Sequence, residues 1–373
     1  MNPPIDQLAL NHAARVLGEI TPELPADAAL RRHFGVHRRL GARERRAVSR
    51  SVFVYFRWLN WLPPRESRQR QLAAALDFQA RFNTHPASIK TEALAARAVP
   101  EWAAAEFELS ADYLRSLQRD PVLWLRARPG QAAALAARLG HSVPFPAGEK
   151  LAPAEPGTPP WDALKYEGAQ DLFLTDEFHA GEFEIQDLAS QWVGLVADPQ
   201  PGETWWDRTA GEGGKTLHLA DLMRNRGVVW ATDRSARRLA VLQRRASRAK
   251  LFNIRVADQA PRGAIFDGIL VDAPCSGAGT WQRNPHARWT TTARDVAELA
   301  AVQTELLNGA ASRVKPGGKL IYAVCTLTRS ETAAIAQAFA AAHPDYEPAG
   351  DRLLYPQTFG SNGMFVAAWR RKK

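Results

Sequence analysis

The chain of 373 residues carries 48 lysines and arginines against 39 acidic residues, with 46% hydrophobic and 23% charged residues. That length points to two or three domains, and the composition is globular rather than disordered. No apolar run approaches the roughly 18 residues of a membrane span, and the start, Met1-Asn2-Pro3-Pro4, lacks a basic region followed by an apolar stretch. Two cysteines, Cys275 and Cys325, are too few for a disulfide framework and form no Cys-x-x-Cys pair. The expectation is a cytoplasmic monomer in a reducing setting, with no membrane, structural zinc or other metal.

The net charge of +9 is unevenly spread. From Arg31 to Arg70 twelve arginines are set against only Glu44 and Glu66, and from Arg224 to Arg255 nine arginines and Lys250 against Asp233 alone. Between Glu155 and Asp187 the sign reverses, nine acids against Lys165. Basic blocks of this density fit a polyanion such as nucleic acid, although solvated helix faces also carry charge runs.

In chain order, the first ninety or so residues read as helices. Ala28–Phe34, Ala47–Leu62 and Gln71–Phe82 space apolar residues three and four apart, with breaks at Pro63-Pro64 and His85-Pro86. From about Pro100 to Gly181 the pattern fits a small α+β segment: Val122–Ala127 alternates like a strand, Gln131–Leu139 reads as helix, and Pro153–Pro160 as a proline-rich loop. From Thr204 strands and helices alternate. Thr204–Asp207 leads into Gly211-Glu212-Gly213-Gly214-Lys215 and a helix through Met223, then the strand Val228–Asp233 and the helix Ser235–Ala249. Further strands are expected at Ile254–Ala257, Phe266–Val271, Lys319–Val324 and Met364–Trp369. This is the grammar of an α/β, Rossmann-like, mostly parallel doubly wound sheet.

The glycine turn lets a nucleotide-like ligand approach the backbone, and Asp233, about twenty residues on, can accept ribose hydroxyls. Neither a phosphate-loop motif nor Gly-x-Gly-x-x-Gly is present, which weakens ATPase and dinucleotide readings. Asp272-Ala273-Pro274-Cys275-Ser276-Gly277 follows one strand, and Cys325 ends another fifty residues later. Both cysteines thus fall at carboxyl ends of strands, where open α/β sheets bind ligands; a small buried hydrophobe is the plainer role for either alone.

At these residues the chain resembles the RsmB/Sun family of S-adenosylmethionine-dependent RNA cytosine-5 methyltransferases. The family's Asp-Ala-Pro-Cys-Ser-Gly motif is complete at Asp272–Gly277. Gly279-Thr280, Arg283-Asn284-Pro285 through Arg288-Trp289, Gln303, Leu306-Leu307 and Lys315–Gly318 also match, and Phe183–Gln191 is similar to its entry segment. The resemblance is strong from about residue 180 and weaker upstream, where Arg31–Leu62 resembles a NusB-like helical domain. It implies a helical RNA-binding domain over 1–95, a small α+β linking domain over 96–180 and the methyltransferase domain over 181–373. Departures are Glu212 where proline is usual, Val324 before the second cysteine, and His286 and Thr332 for Asp and Asn.

Carbon 5 of cytosine is a poor nucleophile until a thiolate adds at carbon 6, so such an enzyme needs a nucleophilic cysteine, an acid and a base. The resemblance implies Cys325 as nucleophile, Asp272 at nitrogen 3 and Cys275 in proton removal and product release, with Lys215 steadying the target nucleotide. It implies a cofactor pocket of Thr209, Ala210, Gly211, Glu212, Gly213, Gly214, Lys215, Asp233, Asp258 and Asp272. The expected partner is RNA, ribosomal first and transfer RNA second. Two competitors stand: a DNA cytosine-5 methyltransferase, because Pro274-Cys275 is a Pro-Cys dipeptide, and a non-catalytic RNA-binding ribosome assembly factor, for which Glu212 argues.

Overall fold

The computed structural model describes residues 7–145 and 162–373. The expected proline-rich loop Pro153–Pro160 lies outside them. The chain divides into two compact units, one of residues up to 121 together with 277–295, the other of 122–276 and 296–373. The cut thus falls at 121/122, while the sequence reading places boundaries at 95/96 and 180/181. The boundary between the units cuts the Asp272–Gly277 motif before Gly277, and residues 277–295 count with the first unit.

In the first unit the helices Gln7–Glu19, Ala26–Val36, Ala42–Arg57 and Arg68–Thr84 bury Ala13, Val16, Ala29, Val48, Val52 and Leu72 against one another. Val48 and Val52 sit four apart on one stripe, as an amphipathic helix requires. Ser67 caps the last of these helices by accepting from the Arg70 amide. The third helix stops at Arg57, short of Pro63, and a 3-10 turn over Leu59–Trp61 follows. Within the same unit, Trp289 donates to the Phe56 carbonyl at 2.7 Å and the fully buried Arg288 donates to that of Ala98.

The second unit contains two sheets. The smaller is antiparallel, made of β1 (Leu123–Ala127), β2 (Ser142–Pro144), β3 (Ala163–Tyr166) and β4 (Phe183–Ile185) in the order β2-β3-β1-β4. The larger has seven strands: β5 (Thr204–Asp207), β6 (Val228–Ala231), β7 (Ile254–Val256), β8 (Phe266–Asp272), β9 (Val314–Val324), β10 (Tyr346–Leu354) and β11 (Met364–Arg371). Their order is β10-β11-β9-β8-β5-β6-β7. The run from β9 to β7 is parallel, and β11 is antiparallel to both β9 and β10. This is the expected Rossmann-like α/β architecture.

Side-chain alternation covers both faces of the large sheet. Trp205, Val229, Leu270 and Ile321 join the helices Leu188–Ala197, Gly214–Leu222 and Ala236–Arg248 in one core, while Trp206, Ile269, Leu320 and Tyr322 face Leu307, Ile335 and Phe339 in the other. Buried Arg126 on β1 ties the small sheet to the helix Gly214–Leu222 through Asp221, and Glu184 on β4 holds Arg245 and Arg248. From β5 the chain proceeds outward to β6 and β7, then returns to lay β8 on the other side. The crevice therefore opens at the carboxyl ends of β5 and β8. Among the described residues no helix is long and apolar enough to cross a membrane.

Candidate active site

The glycine turn follows β5 directly. Gly211 and Gly213 take φ of +55° and +90°, and a Cβ at Gly213 would stand 2.6 Å from Leu242 Cγ. Only glycine lets the turn pack on the helix Ala236–Arg248 and start the helix Gly214–Leu222. Just past β6, Asp233 accepts the Gly211 amide at 2.9 Å and the Ser235 amide at 2.8 Å, one on each carboxylate oxygen. Asp233 therefore holds the turn in place, a role its spacing did not reveal. Thr209 and Ala210 form the approach to this turn, and Asp258 stands exposed just beyond β7. Glu212 is exposed, and its carbonyl is held by Arg245 at 2.8 Å.

Lys215, in the first turn of the helix after the glycines, places Nζ 2.7 Å from Asp272 Oδ2 at the end of β8. Burial pulls the Lys215 ammonium down, but Asp272, Cys325 and Asp207 together outweigh it and hold it above its usual range. The sequence reading named Lys215 and Asp272 separately; the structure makes them an ion pair. The two cysteines also meet, Cys275 Sγ lying 3.4 Å from Cys325 Sγ. The hydrogen bond with Cys275 holds the Cys325 thiol below its ordinary range; burial and Asp272 oppose this and Lys215 assists it. A low thiol beside an ammonium is the environment of a reactive cysteine.

Beneath the sulfurs lies a carboxylate the sequence reading did not single out. Glu331 is fully buried, in a 3-10 turn after β9. Its Oε1 accepts from the Ser276 amide at 2.8 Å and from Gln303 Nε2 at 2.9 Å. Its Oε2 accepts from the hydroxyls of Ser276, Thr326 at 3.1 Å and Thr328 at 2.6 Å. Gln303 also donates to the Pro274 carbonyl at 2.9 Å, and Tyr322 donates to Gln303 Oε1. Ser276 follows Cys275 and Thr326 follows Cys325, so one carboxylate fastens both cysteine loops. Two of the four departures lie beside this frame: Val324 is buried in the core and Thr332 donates to the Thr328 carbonyl at 2.7 Å.

Asp207, at the end of β5, is also buried, and Thr216 donates to its Oδ2 at 2.6 Å. Burial chiefly pushes its carboxyl up to about 7, with Thr216 opposing and Asp272 adding to the rise. A carboxyl raised from 3.8 favours folding most fully below that pH, loses the contribution as pH climbs, and keeps none once pH passes about 7. Asp207→Asn should therefore flatten the dependence of melting temperature on pH across this window and give the larger relative gain near neutrality. Parallel curves for the two proteins would place the titration elsewhere.

Three comparisons with known proteins bear on this site. Residues 194–370 match the family model described as 16S rRNA methyltransferase RsmB/F. The chain is 35% identical over 222 residues to a probable ribosomal RNA small subunit methyltransferase B of Bacillus subtilis, covering 53% of this chain and 50% of that one. It is 33% identical over 236 residues to ribosomal RNA small subunit methyltransferase F of Escherichia coli, covering 57% and 49%. The chain thus spans about half the length of the curated relatives it matches. Among solved structures, a methyltransferase homolog protein from Pyrococcus horikoshii aligns at 26% identity and TM-score 0.60 over 70% of this chain and 90% of its own. The crystal structure of PH0851 aligns over 100% of both chains at TM-score 0.77 and 23% identity, a likeness of fold.

Proposed function

We propose, from a methyltransferase domain that belongs to the RsmB/F family over residues 194–370, that this chain methylates carbon 5 of a cytosine in RNA through a covalent cysteine adduct. The observation that carries the reading is the contact of Cys275 with Cys325, beside the Lys215–Asp272 pair, at the ends of neighbouring strands. The relatives are named for small-subunit ribosomal RNA, and that is the substrate class we assign.

The cofactor in this reading is S-adenosylmethionine, and the turn fits it. A Cβ at Gly211 or Gly214 would meet nothing within 4 Å, so the outer side of the turn is open to a ligand. Asp233 and Asp258, at successive strand ends, supply acceptors for ribose and base, and Thr209–Lys215 line the approach. When bound, the cofactor supplies the electrophilic methyl that the activated carbon 5 takes up.

The chain's own residues do the rest. The Cys325 thiolate adds to carbon 6, and the ring's electron density moves onto nitrogen 3, at whose edge Asp272 stands and where the Lys215 ammonium paired with it balances the charge. After methylation Cys275 takes the proton from carbon 5, directly or through one water, and the carbon 6–sulfur bond breaks to return Cys325 as thiolate. No oxidant or metal enters the balance. Incubating the protein with small-subunit ribosomal RNA and methyl-labelled cofactor, then digesting to nucleosides, should yield 5-methylcytidine. Label in another nucleoside would replace the reaction assigned here; no transfer and no cofactor binding would favour an assembly factor.

Phosphate contacts belong in this reading to the arginine block. Arg38, Arg39, Arg43 and Arg46 are all exposed. Reversing their charge together should weaken RNA binding and reduce the slope of log affinity against log salt by about three or more. An unaltered slope would move the RNA track off these residues.

A further inference from the structure

The first unit holds a second constellation of titratable groups that methyl transfer does not use. His12 comes from the helix Gln7–Glu19, His33 from the last turn of Ala26–Val36, and His37 from the residue that ends that helix. His12 Nδ1 lies 2.8 Å from His33 Nε2, and the ring centroids stand 5.1, 5.0 and 4.3 Å apart. One ring nitrogen from each residue lies within 4.8 Å of the other two. His12 and His33 are 9% and 3% exposed, while His37 is half-buried at the helix end.

Three imidazoles so placed cannot all carry charge. Burial first, and the neighbouring His37 second, lower the pKa of both His12 and His33. Neutral rings present lone pairs, the form a metal requires. Imidazole without carboxylate or thiolate suits zinc and its first-row neighbours and disfavours calcium or magnesium. A tetrahedral zinc holds its nitrogens at about 2.0–2.1 Å, which sets ligand atoms about 3.3 Å apart. The His12–His33 pair has to open by about half an ångström and the outer ring, His37, to swing inward, changes within side-chain rotation.

We propose that His12, His33 and His37 form a binding site for a divalent first-row metal, zinc foremost, with solvent as the fourth ligand. The N–H shared between His12 and His33 moves to the outward nitrogen of its ring, so the imidazoles stay neutral and no electron is transferred. Arg15 lies near enough to oppose a cation and Glu19 to favour it. The site would clasp the first helix to the end of the second, immediately before the arginines at 38–46. The sequence reading assigned no metal because it weighed only cysteines; these histidines are brought together by helix pairing rather than by a short spacing.

The test is a titration of the tag-free, chelator-stripped full chain with cobalt(II), then competition by zinc. The expected result is one equivalent with the visible bands of tetrahedral cobalt, no thiolate charge-transfer band, and a higher melting temperature with zinc that chelator reverses. His37→Gln, which leaves the buried pair intact, should weaken binding by at least about a hundredfold, the upper end of what losing an outer-sphere partner costs. It should leave the metal-free melting temperature unchanged. Absence of saturation below millimolar cobalt, or affinity indifferent to His37→Gln, would overturn the proposal. A thiolate charge-transfer band would overturn it too, by placing the metal on Cys275 and Cys325.

Discussion

Cys325→Ala is expected to abolish methylation and every covalent enzyme–RNA complex together, lowering turnover by at least about ten-thousandfold, as losses of a nucleophile do. Cys275→Ala is expected to give a different phenotype. On the proposed roles, addition at carbon 6 and methylation remain open to it, while proton removal from carbon 5 would have lost its base. The protein should then accumulate on its methylated RNA as a band that survives denaturing electrophoresis. The contact between the two sulfurs adds a dependence on pH. Cys275 is also the main influence lowering the Cys325 thiol, so the alanine variant should form its adduct more slowly at neutral pH and recover as pH rises. A trapped band with Cys325→Ala and none with Cys275→Ala would reverse the roles and make Pro274-Cys275 the source of the nucleophile. Because the sulfurs are 3.4 Å apart, either could reach the same carbon, and only the pattern of trapping separates them.

Much of this site was legible because its parts are local in sequence. The glycine turn, the motif from Asp272 to Gly277 and the two strand-end cysteines each announce themselves within a dozen residues, and parallel strands deliver their ends to one side. What was not legible is pairwise. Nothing in the spacing of 57 residues joins Lys215 to Asp272, and Asp233 reads as a ribose acceptor without revealing that it carries two backbone amides. β10 is not among the expected strands; Pro348 and Gly350 are poor strand residues, and an edge strand tolerates both, with a register shift between them. Conversely Lys315–Gly318 reads as a turn yet lies within β9. The helix Ala42–Arg57 ends before the prolines, where Arg57 turns inward to Gln79 and Asp120, a tertiary pull no local pattern carries.

Glu331 is the strongest case of the same kind, and its two oxygens make distinguishable demands. The donors on Oε1, the Ser276 amide and Gln303 Nε2, cannot become acceptors, whereas those on Oε2 are three hydroxyls that can rotate to accept. Glutamine fits this asymmetry, its oxygen replacing Oε1 and its amide nitrogen donating to the hydroxyls. Alanine removes the acceptor these five donors share. Gln303 keeps the Pro274 carbonyl and the hydroxyls keep one another, but the Ser276 amide is left buried and unpaired, and at about 1–3 kcal/mol for each group left unsatisfied the loss should reach a few kcal/mol. Glu331→Ala should therefore melt well below the native protein and lose the alignment of both cysteine loops, so that neither methylation nor a trapped complex survives. In contrast Glu331→Gln should keep its melting temperature within a few degrees and, in a Cys275→Ala background, still yield the trapped band. If glutamine proves as damaging as alanine, the negative charge itself is what the cysteines need. Full activity with alanine would mean the loops hold their places without the carboxylate. The five donors converge on one residue because the two cysteine loops leave neighbouring parallel strands, β8 and β9, and a buried acceptor between such loops fixes both at once.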